Sequence, residues 1–82
     1  MIIKILGTGC PKCRNLENHA CQAVAELGID AQVLKVTDIS KIMEYNVMIT
    51  PGLVINEKVR ATGKLLSPAE IKKLIQQELG AE

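Results

Sequence analysis

Aromatic side chains are almost absent from this 82-residue chain: it has no Phe and no Trp, and Tyr45 is its single Tyr. A core without large rings must be aliphatic, filled by Ile, Leu, Val and Ala. The chain also has no block of Lys or Arg, so it lacks both the stacking platform and the charged track of a nucleic-acid surface. Ten basic and nine acidic residues nearly cancel, leaving a net charge of +1. No stretch approaches the roughly 20 apolar residues of a membrane-crossing helix. Met1–Leu6 is apolar but far shorter than the apolar part of a signal peptide, and no cleavage-like site follows. The chain is therefore expected in the cytoplasm, with no membrane insertion and no nucleic acid among its partners. Three cysteines in a reducing compartment do not make a disulfide framework. No repeat, linker or low-complexity segment divides the chain, and its length fits a single domain over residues 1–82.

What is present has a clear rhythm. Ile2–Leu6 is short, β-branched and apolar, and reads as a strand with Ile3 and Ile5 on one face and Ile2, Lys4 and Leu6 on the other. Gly7, Thr8 and Gly9 break it. From Pro11 the chain reads as a helix, because Leu16, Ala20, Ala23, Val24 and Leu27 recur at three- and four-residue spacing. Gly28 supplies its stop. Ala31–Val36 is a second strand, so strand, helix and strand form a βαβ unit with a parallel pair and a right-handed crossover. Thr37 or Asp38 caps a second helix running to about Tyr45, with Ile39, Ile42 and Met43 expected inward and Asn46 as a left-handed stop. Leu53–Ile55 and Lys58–Ala61 read as a hairpin closed by Asn56-Glu57, a weaker turn signal than Asn-Gly. Ser67 and Glu70 form a capping box with Pro68 at the first helical position. This last helix, with Ile71, Leu74 and Ile75 inward, ends near Leu79 and Gly80. The order is β-α-β-α-β-β-α, an α/β arrangement with a mixed four-stranded sheet and three helices.

The chemistry sits in Cys10-Pro11-Lys12-Cys13, where the first strand hands over to the first helix. Pro11 fits the first helical position, where its missing N–H costs nothing. Cys10 then falls at the helix cap, facing unpaired backbone N–H groups and the positive end of the helix dipole. A thiolate is stabilised there, so the Cys10 thiol is expected to titrate below a free cysteine. An ammonium on Lys12 within reach of the sulfur would lower it further. Residues three apart at a helix start share a face, so the two sulfurs can bond. Cys10 precedes the apolar stripe and is expected to be exposed; Cys13 lies at its edge and is expected to be shielded. One accessible thiolate and one sheltered partner make an attacker and a resolver.

Spacing bears on other uses of the same pair. A structural zinc site wants four ligands, and the remaining soft candidates, His19 and Cys21, lie about two turns further along the same helix. No metal site is expected. Copper-chaperone-like domains also place C-x-x-C between a first strand and a first helix, but they continue with an antiparallel hairpin, whereas here a second helix and a Thr-Pro turn intervene. The alternative function is a soft-metal or metalloid carrier using the same two thiolates.

Over essentially its full length the chain resembles the thioredoxin-like proteins, most closely the very short ones called redox-active disulfide proteins. The resemblance rests on Ile5-Leu6-Gly7-Thr8-Gly9-Cys10-Pro11-Lys12-Cys13, on Leu27-Gly28-Ile29-Asp30, and on Thr50-Pro51-Gly52-Leu53-Val54-Ile55-Asn56. It implies a minimal thioredoxin-like fold and a thiol–disulfide oxidoreductase that works as a monomer. Protein thiols or disulfides and a reductase are the implied partners. No cofactor is called for, since the electrons reside on a Cys10–Cys13 disulfide. It also implies a cis peptide at Thr50–Pro51, with Pro51 packed against the cysteines and Thr50 offering backbone groups to a bound substrate. Pro11, Lys12 and Gly63 join this substrate surface; Gly63 ends the last strand where a side chain would obstruct a partner.

The chain departs from its larger relatives in specific places. Gly9 stands where thioredoxins have a Trp, and Ile2–Leu6 holds no carboxylate where thioredoxins carry a buried acid. Lys12 replaces the usual aromatic of glutaredoxins, and Thr62-Gly63-Lys64 replaces their Gly-Gly-acid cluster for glutathione. The chain is thus expected to serve glutathione poorly. Cys21 is expected to be a structural or half-exposed thiol, His19 a surface residue, and Tyr45 a lid on the aliphatic core.

Overall fold

A computed structural model describes residues 1–9 and 11–80. The described residues form β1 (Ile2–Leu6), α1 (Pro11–Leu27), β2 (Gln32–Val36), α2 (Ile39–Glu44), β3 (Gly52–Ile55), β4 (Lys58–Thr62) and α3 (Pro68–Leu79). The sheet runs β2-β1-β3-β4, with β1 parallel to β2 and antiparallel to β3, and β3 antiparallel to β4. This is the minimal thioredoxin-like fold that the sequence implies. Three strand boundaries move by one residue: β2 starts at Gln32, β3 starts at Gly52 and β4 extends to Thr62.

The alternation along β1 divides the core. Ile3 and Ile5 face α1 and α3, where they are buried with Leu16, Ala20, Ala23, Leu53, Ile55, Ile71 and Ile75. Leu6 turns to the opposite face and is buried with Ile42, Val47 and Val54 beneath α2. Each buried Leu or Ile contributes about 1.5–3 kcal/mol. All four residues of β3 are buried, as the position between β1 and β4 requires.

The second helix corrects one expectation. Only Ile42 turns inward; Ile39 is 62% exposed and Met43 58%. A six-residue helix makes less than two turns and can press little more than one side chain onto the sheet. Val47 and Tyr45, just beyond its end, fill the rest of that cluster. Asp38 caps the start by accepting from the Ser40 N–H at 2.8 Å, and Asn46 stops the chain with φ +59°.

The β3–β4 turn is the tight two-residue form, with φ +49° at Asn56 and +66° at Glu57. Left-handed backbone is costly for Glu, and side-chain contacts hold it there. The Glu57 carboxylate accepts from the Tyr45 hydroxyl at 2.9 Å and pairs with the Lys4 ammonium at 2.6 Å. Lys4 also donates to the Tyr45 oxygen at 2.9 Å and sits 5.6 Å from the centre of its ring. These bonds hold Glu57 below the usual carboxylate range and Lys4 above its ordinary value. Tyr45 is thus the half-buried lid expected, tied at its rim to β1 and to the turn. At the other end of the chain, Ser67 and Glu70 form the capping box. Glu78 of α3 is buried, with Lys58 at 3.2 Å and Arg60 at 3.5 Å.

Candidate active site

β1 ends at Leu6, and Gly7-Thr8-Gly9 lead to α1, which begins at Pro11. Gly9 has φ +95°, which glycine adopts at little cost. Cys10, the expected attacker, lies outside the described residues. Cys13 is the third residue of α1 and only 5% exposed, as expected for a resolver. Its burial follows from the helix period: Cys13, Leu16, Ala20 and Ala23 are spaced by three or four and form the buried stripe.

The structure adds Gly7, which by sequence is only a strand breaker. A Cβ at Gly7 would overlap the Cys13 Sγ and stand 3.1 Å from the Cys13 Cβ. Gly7 is therefore the gap that lets the first turn of α1 settle against the end of β1. Its N–H donates to the Val36 carbonyl at 2.9 Å, which fixes the strand end. The same Cβ would reach within 3.9 Å of the Thr50 Cβ, so the α2–β3 connection also arrives here.

Thr50–Pro51 is cis, with Pro51 buried and Thr50 exposed. The Pro51 carbonyl accepts from the Gly63 N–H at 2.8 Å. Gly63 has φ +69°, and a Cβ there would lie 2.8 Å from the Ile49 Cγ2. Cys13, Thr50, Pro51 and Gly63 are thus brought to one end of the sheet by three separate connections. Pro11 and Lys12 are exposed on the first turn of α1.

Two hollows border this place. A groove of about 300 Å³ is lined by Thr8, Ile39, Ile42, Met43, Met48 and Thr50, among others. Met48 is 86% exposed and Ile49 64%, so an apolar rim flanks the Thr50–Pro51 turn. Sequence offers no reason to single out Met48 and Ile49, since an apolar run before a strand reads as core. On the other side, a cavity of about 130 Å³ is lined by Cys13, Ile5, Gly7, Arg14, Lys35 and Thr37, with Gly9 at its edge.

The remaining candidates stand apart from this end. Cys21 is a free and exposed thiol, more open than the half-exposed residue expected. His19 is not simply a surface residue: it is half-buried, with Nδ1 2.8 Å from the Leu66 carbonyl. The carbonyl can only accept, so Nδ1 carries the proton in this contact. The packing of α3 on α1 brings the segment before α3 over His19. Lys64 falls in a groove with Arg60, Glu70 and Lys73, between β4 and α3. Among the described residues, no three His, Cys, Asp or Glu side chains stand close enough to share a metal ion. No helix among them is long and apolar enough to cross a membrane.

Comparison with known proteins agrees with this fold. The family model described as a thioredoxin domain matches residues 1–76. A protein named thioredoxin from Methanocaldococcus jannaschii is 43% identical over 79 residues, covering 96% of this chain and 91% of the relative. A second protein named thioredoxin, from Methanothermobacter thermautotrophicus, is 41% identical over 75 residues, covering 92% of this chain and 97% of its own.

Proposed function

Because the chain belongs to the thioredoxin family, we propose that it exchanges a Cys10–Cys13 dithiol with the disulfides of partner proteins. The observation that carries this reading is Cys13, sealed at the start of α1 against Gly7 and next to the cis Thr50–Pro51 turn. Cys10 precedes the first residue of α1, where the free N–H groups and the dipole of a 17-residue helix favour an anion. Its thiolate attacks one sulfur of a partner disulfide and forms a mixed disulfide. Cys13 then attacks the Cys10 sulfur, the partner leaves as a dithiol, and two electrons have passed to it. A reductase or another thiol recharges the Cys10–Cys13 disulfide. No bound cofactor enters this scheme.

Thr50, an exposed residue, offers its backbone groups to the partner, and the missing side chain at Gly63 leaves the approach open. Pro11 and Lys12 border the same approach from α1. The apolar rim of Met48 and Ile49 suits a partner that presents an unfolded or loop segment rather than a charged surface. Glutathione is a poor match, because no aromatic wall or acidic cluster stands beside Cys10 in the sequence. In this reading the protein works as a monomer in the cytoplasm, where thioredoxin-type electron carriers meet reduced thiols.

Trapping tests the assignment. Cys13→Ser is expected to accumulate covalent mixed disulfides with proteins of a cell extract, released by dithiothreitol, and Cys10→Ser is expected to trap none. A Cys10→Ser variant that traps as well as Cys13→Ser would refute the roles given. Tight stoichiometric Cu(I) binding without redox exchange would favour the carrier alternative instead.

A further inference from the structure

A groove of about 490 Å³ runs between β4 and α3, beyond the residues given a part in the exchange. One wall is Arg60, Ala61 and Thr62 of β4. Side chains of consecutive strand residues point to opposite faces, so what these three share is the backbone edge of the strand. That edge is unpaired among the described residues, because β4 stands last in the sheet order and bonds only to β3. The other wall is Glu70 with Lys73 and Leu74, three and four residues further on, which form one stripe of α3. Leu66, only 7% exposed, adds to the apolar surface of Ala61 and Leu74.

The charge of the groove is one-sided. Arg60, Lys64 and Lys73 stand against Glu70 alone, three cations to one carboxylate. The Glu70 carboxylate is engaged in the capping box, where it accepts from the Ser67 N–H at 3.2 Å. Arg60 lies 3.5 Å from Glu78, so the unbalanced charge rests on Lys64 and Lys73. Neither lysine forms an ion pair among the described residues. The groove leads away from the exchange site, beginning one residue past Gly63. The Gly63 N–H bonds to the Pro51 carbonyl at 2.8 Å, and a Cβ on Gly63 would stand 2.8 Å from the Ile49 Cγ2. The apolar rim, Gly63 and the groove thus follow one another along one surface.

Granted the proposed exchange, on which this assignment rests, we infer that the groove holds an acidic, extended segment of the partner protein, flanking the cysteine that is exchanged. The loop or unfolded segment that meets Met48 and Ile49 continues past Gly63 and lies along β4 as an added strand. Main-chain bonds to the free edge of β4 set its register. Its Asp or Glu side chains reach Lys64 and Lys73, and an apolar side chain between them meets Leu66 and Leu74. A second copy of this chain is a poor occupant, because two β4 edges would bring Lys58, Arg60 and Lys64 against the same cations. Charge of this kind selects among partners and speeds their encounter more than it tightens any one complex. The substrate class is therefore protein disulfides flanked by acidic residues.

Single turnovers of the reduced protein on internally quenched disulfide peptides separate this inference from the reading beneath it. The peptides differ only in the residues flanking one cysteine, which are Glu, Ser or Lys. The Glu peptide is expected to react about tenfold faster than the Ser peptide in about 0.01 M salt, and the Lys peptide more slowly than either. In about 1 M salt the rates are expected to converge, as the Debye length falls from about 30 Å to about 3 Å. Lys64→Gln/Lys73→Gln is expected to lower the Glu-to-Ser ratio by about fivefold or more, and Lys64→Arg/Lys73→Arg to keep it. Lys41→Gln/Lys72→Gln removes the same charge outside the groove, from α2 and from the Lys72–Glu26 contact with α1, and is expected to keep the ratio within about twofold. In Cys13→Ser trapped as the mixed disulfide with the Glu peptide, amide hydrogen exchange along Arg60–Thr62 is expected to be slower than with the Ser peptide. A wild-type ratio near one, a ratio that survives in the groove variant or falls equally in the control, or unchanged exchange along β4 overturns the inference and leaves the thiol–disulfide reading standing. A wild-type protein that reduces none of the peptides overturns both.

Discussion

Replacing Gly7 by Ala perturbs the site where the end of β1 and the first turn of α1 approach without a side chain between them. The new Cβ would overlap the Cys13 Sγ and stand 3.1 Å from the Cys13 Cβ. Neither neighbour has room to yield. Gly7 is held by its bond to the Val36 carbonyl, and Cys13 sits one turn before the fully buried Leu16. Overpacking of this kind costs about 1–3 kcal/mol. For a domain this small that lowers Tm by about 4–8 °C per kcal/mol. Gly28→Ala is the control. It has φ +65° and no atom within 4 Å of a new Cβ, so it carries only the left-handed backbone cost, about 1–2 kcal/mol. The two variants should therefore lose comparable stability but differ in function. Gly7→Ala displaces the Cys13 sulfur and slows insulin reduction with dithiothreitol, while Gly28→Ala keeps the wild-type rate below its melting point. Thermal melts by circular dichroism and insulin turbidity measure the two effects. A Gly7→Ala protein with wild-type melting and wild-type turnover would refute the close approach of Gly7 and Cys13.

Met48→Ser should raise KM for protein disulfides by about tenfold, the scale of one large apolar side chain buried on docking, without changing the rate with a small aromatic disulfide. Equal effects on both substrates would argue against the apolar rim as the docking surface. Glu57 is held below its ordinary value by Lys4 and Tyr45, so its stabilising effect is fully present above the unfolded pKa near ~4.3 and is lost as pH falls through the lower folded value. Lys4 is held above its ordinary value, so its contribution is present below ~10.4 and is lost as pH rises through the folded value. Urea unfolding across pH should accordingly show a shallower acid limb for Glu57→Gln than for wild type; superimposable limbs would contradict the clamp. Glu78→Ala should cost about 1–3 kcal/mol in urea unfolding, because Arg60 and Lys58 lose their shared carboxylate at the α3–β4 contact. A neutral substitution there would show that the pair is only a surface contact.

Local signals made most of the fold legible. The apolar stripe of α1, the capping box at Ser67, the stop at Asn46 and the alternation of Ile3 and Ile5 against Leu6 each follow from the backbone geometry that those residue types favour. What the local pattern could not supply was decided by packing between distant segments. Ile39 and Met43 have the spacing of an inward face, but a helix as short as α2 needs only Ile42, and Tyr45 and Val47 complete the cluster. His19 reads as surface until the segment ending at Leu66 crosses it. In the site, Cys13 and its shielding were legible from the helix period, whereas the roles of Thr50 and Pro51 were reached through resemblance alone. Gly7 was visible as a glycine but not as a contact, because nothing in Ile5-Leu6-Gly7-Thr8 says that a sulfur six residues later will need its space.

The central claim is that Cys10 and Cys13 gain and lose two electrons together. Equilibrating the protein in glutathione buffers of graded potential, quenching by alkylation and counting modified cysteines by intact mass measures this directly. The account predicts that Cys10 and Cys13 become protected as a pair, with a tenfold change in the ratio of oxidised to reduced protein for every ~30 mV. Cys21 should stay alkylatable throughout. Stepwise loss of single thiols as stable glutathione adducts, or oxidation that pairs Cys21 with either of the other two, would contradict it.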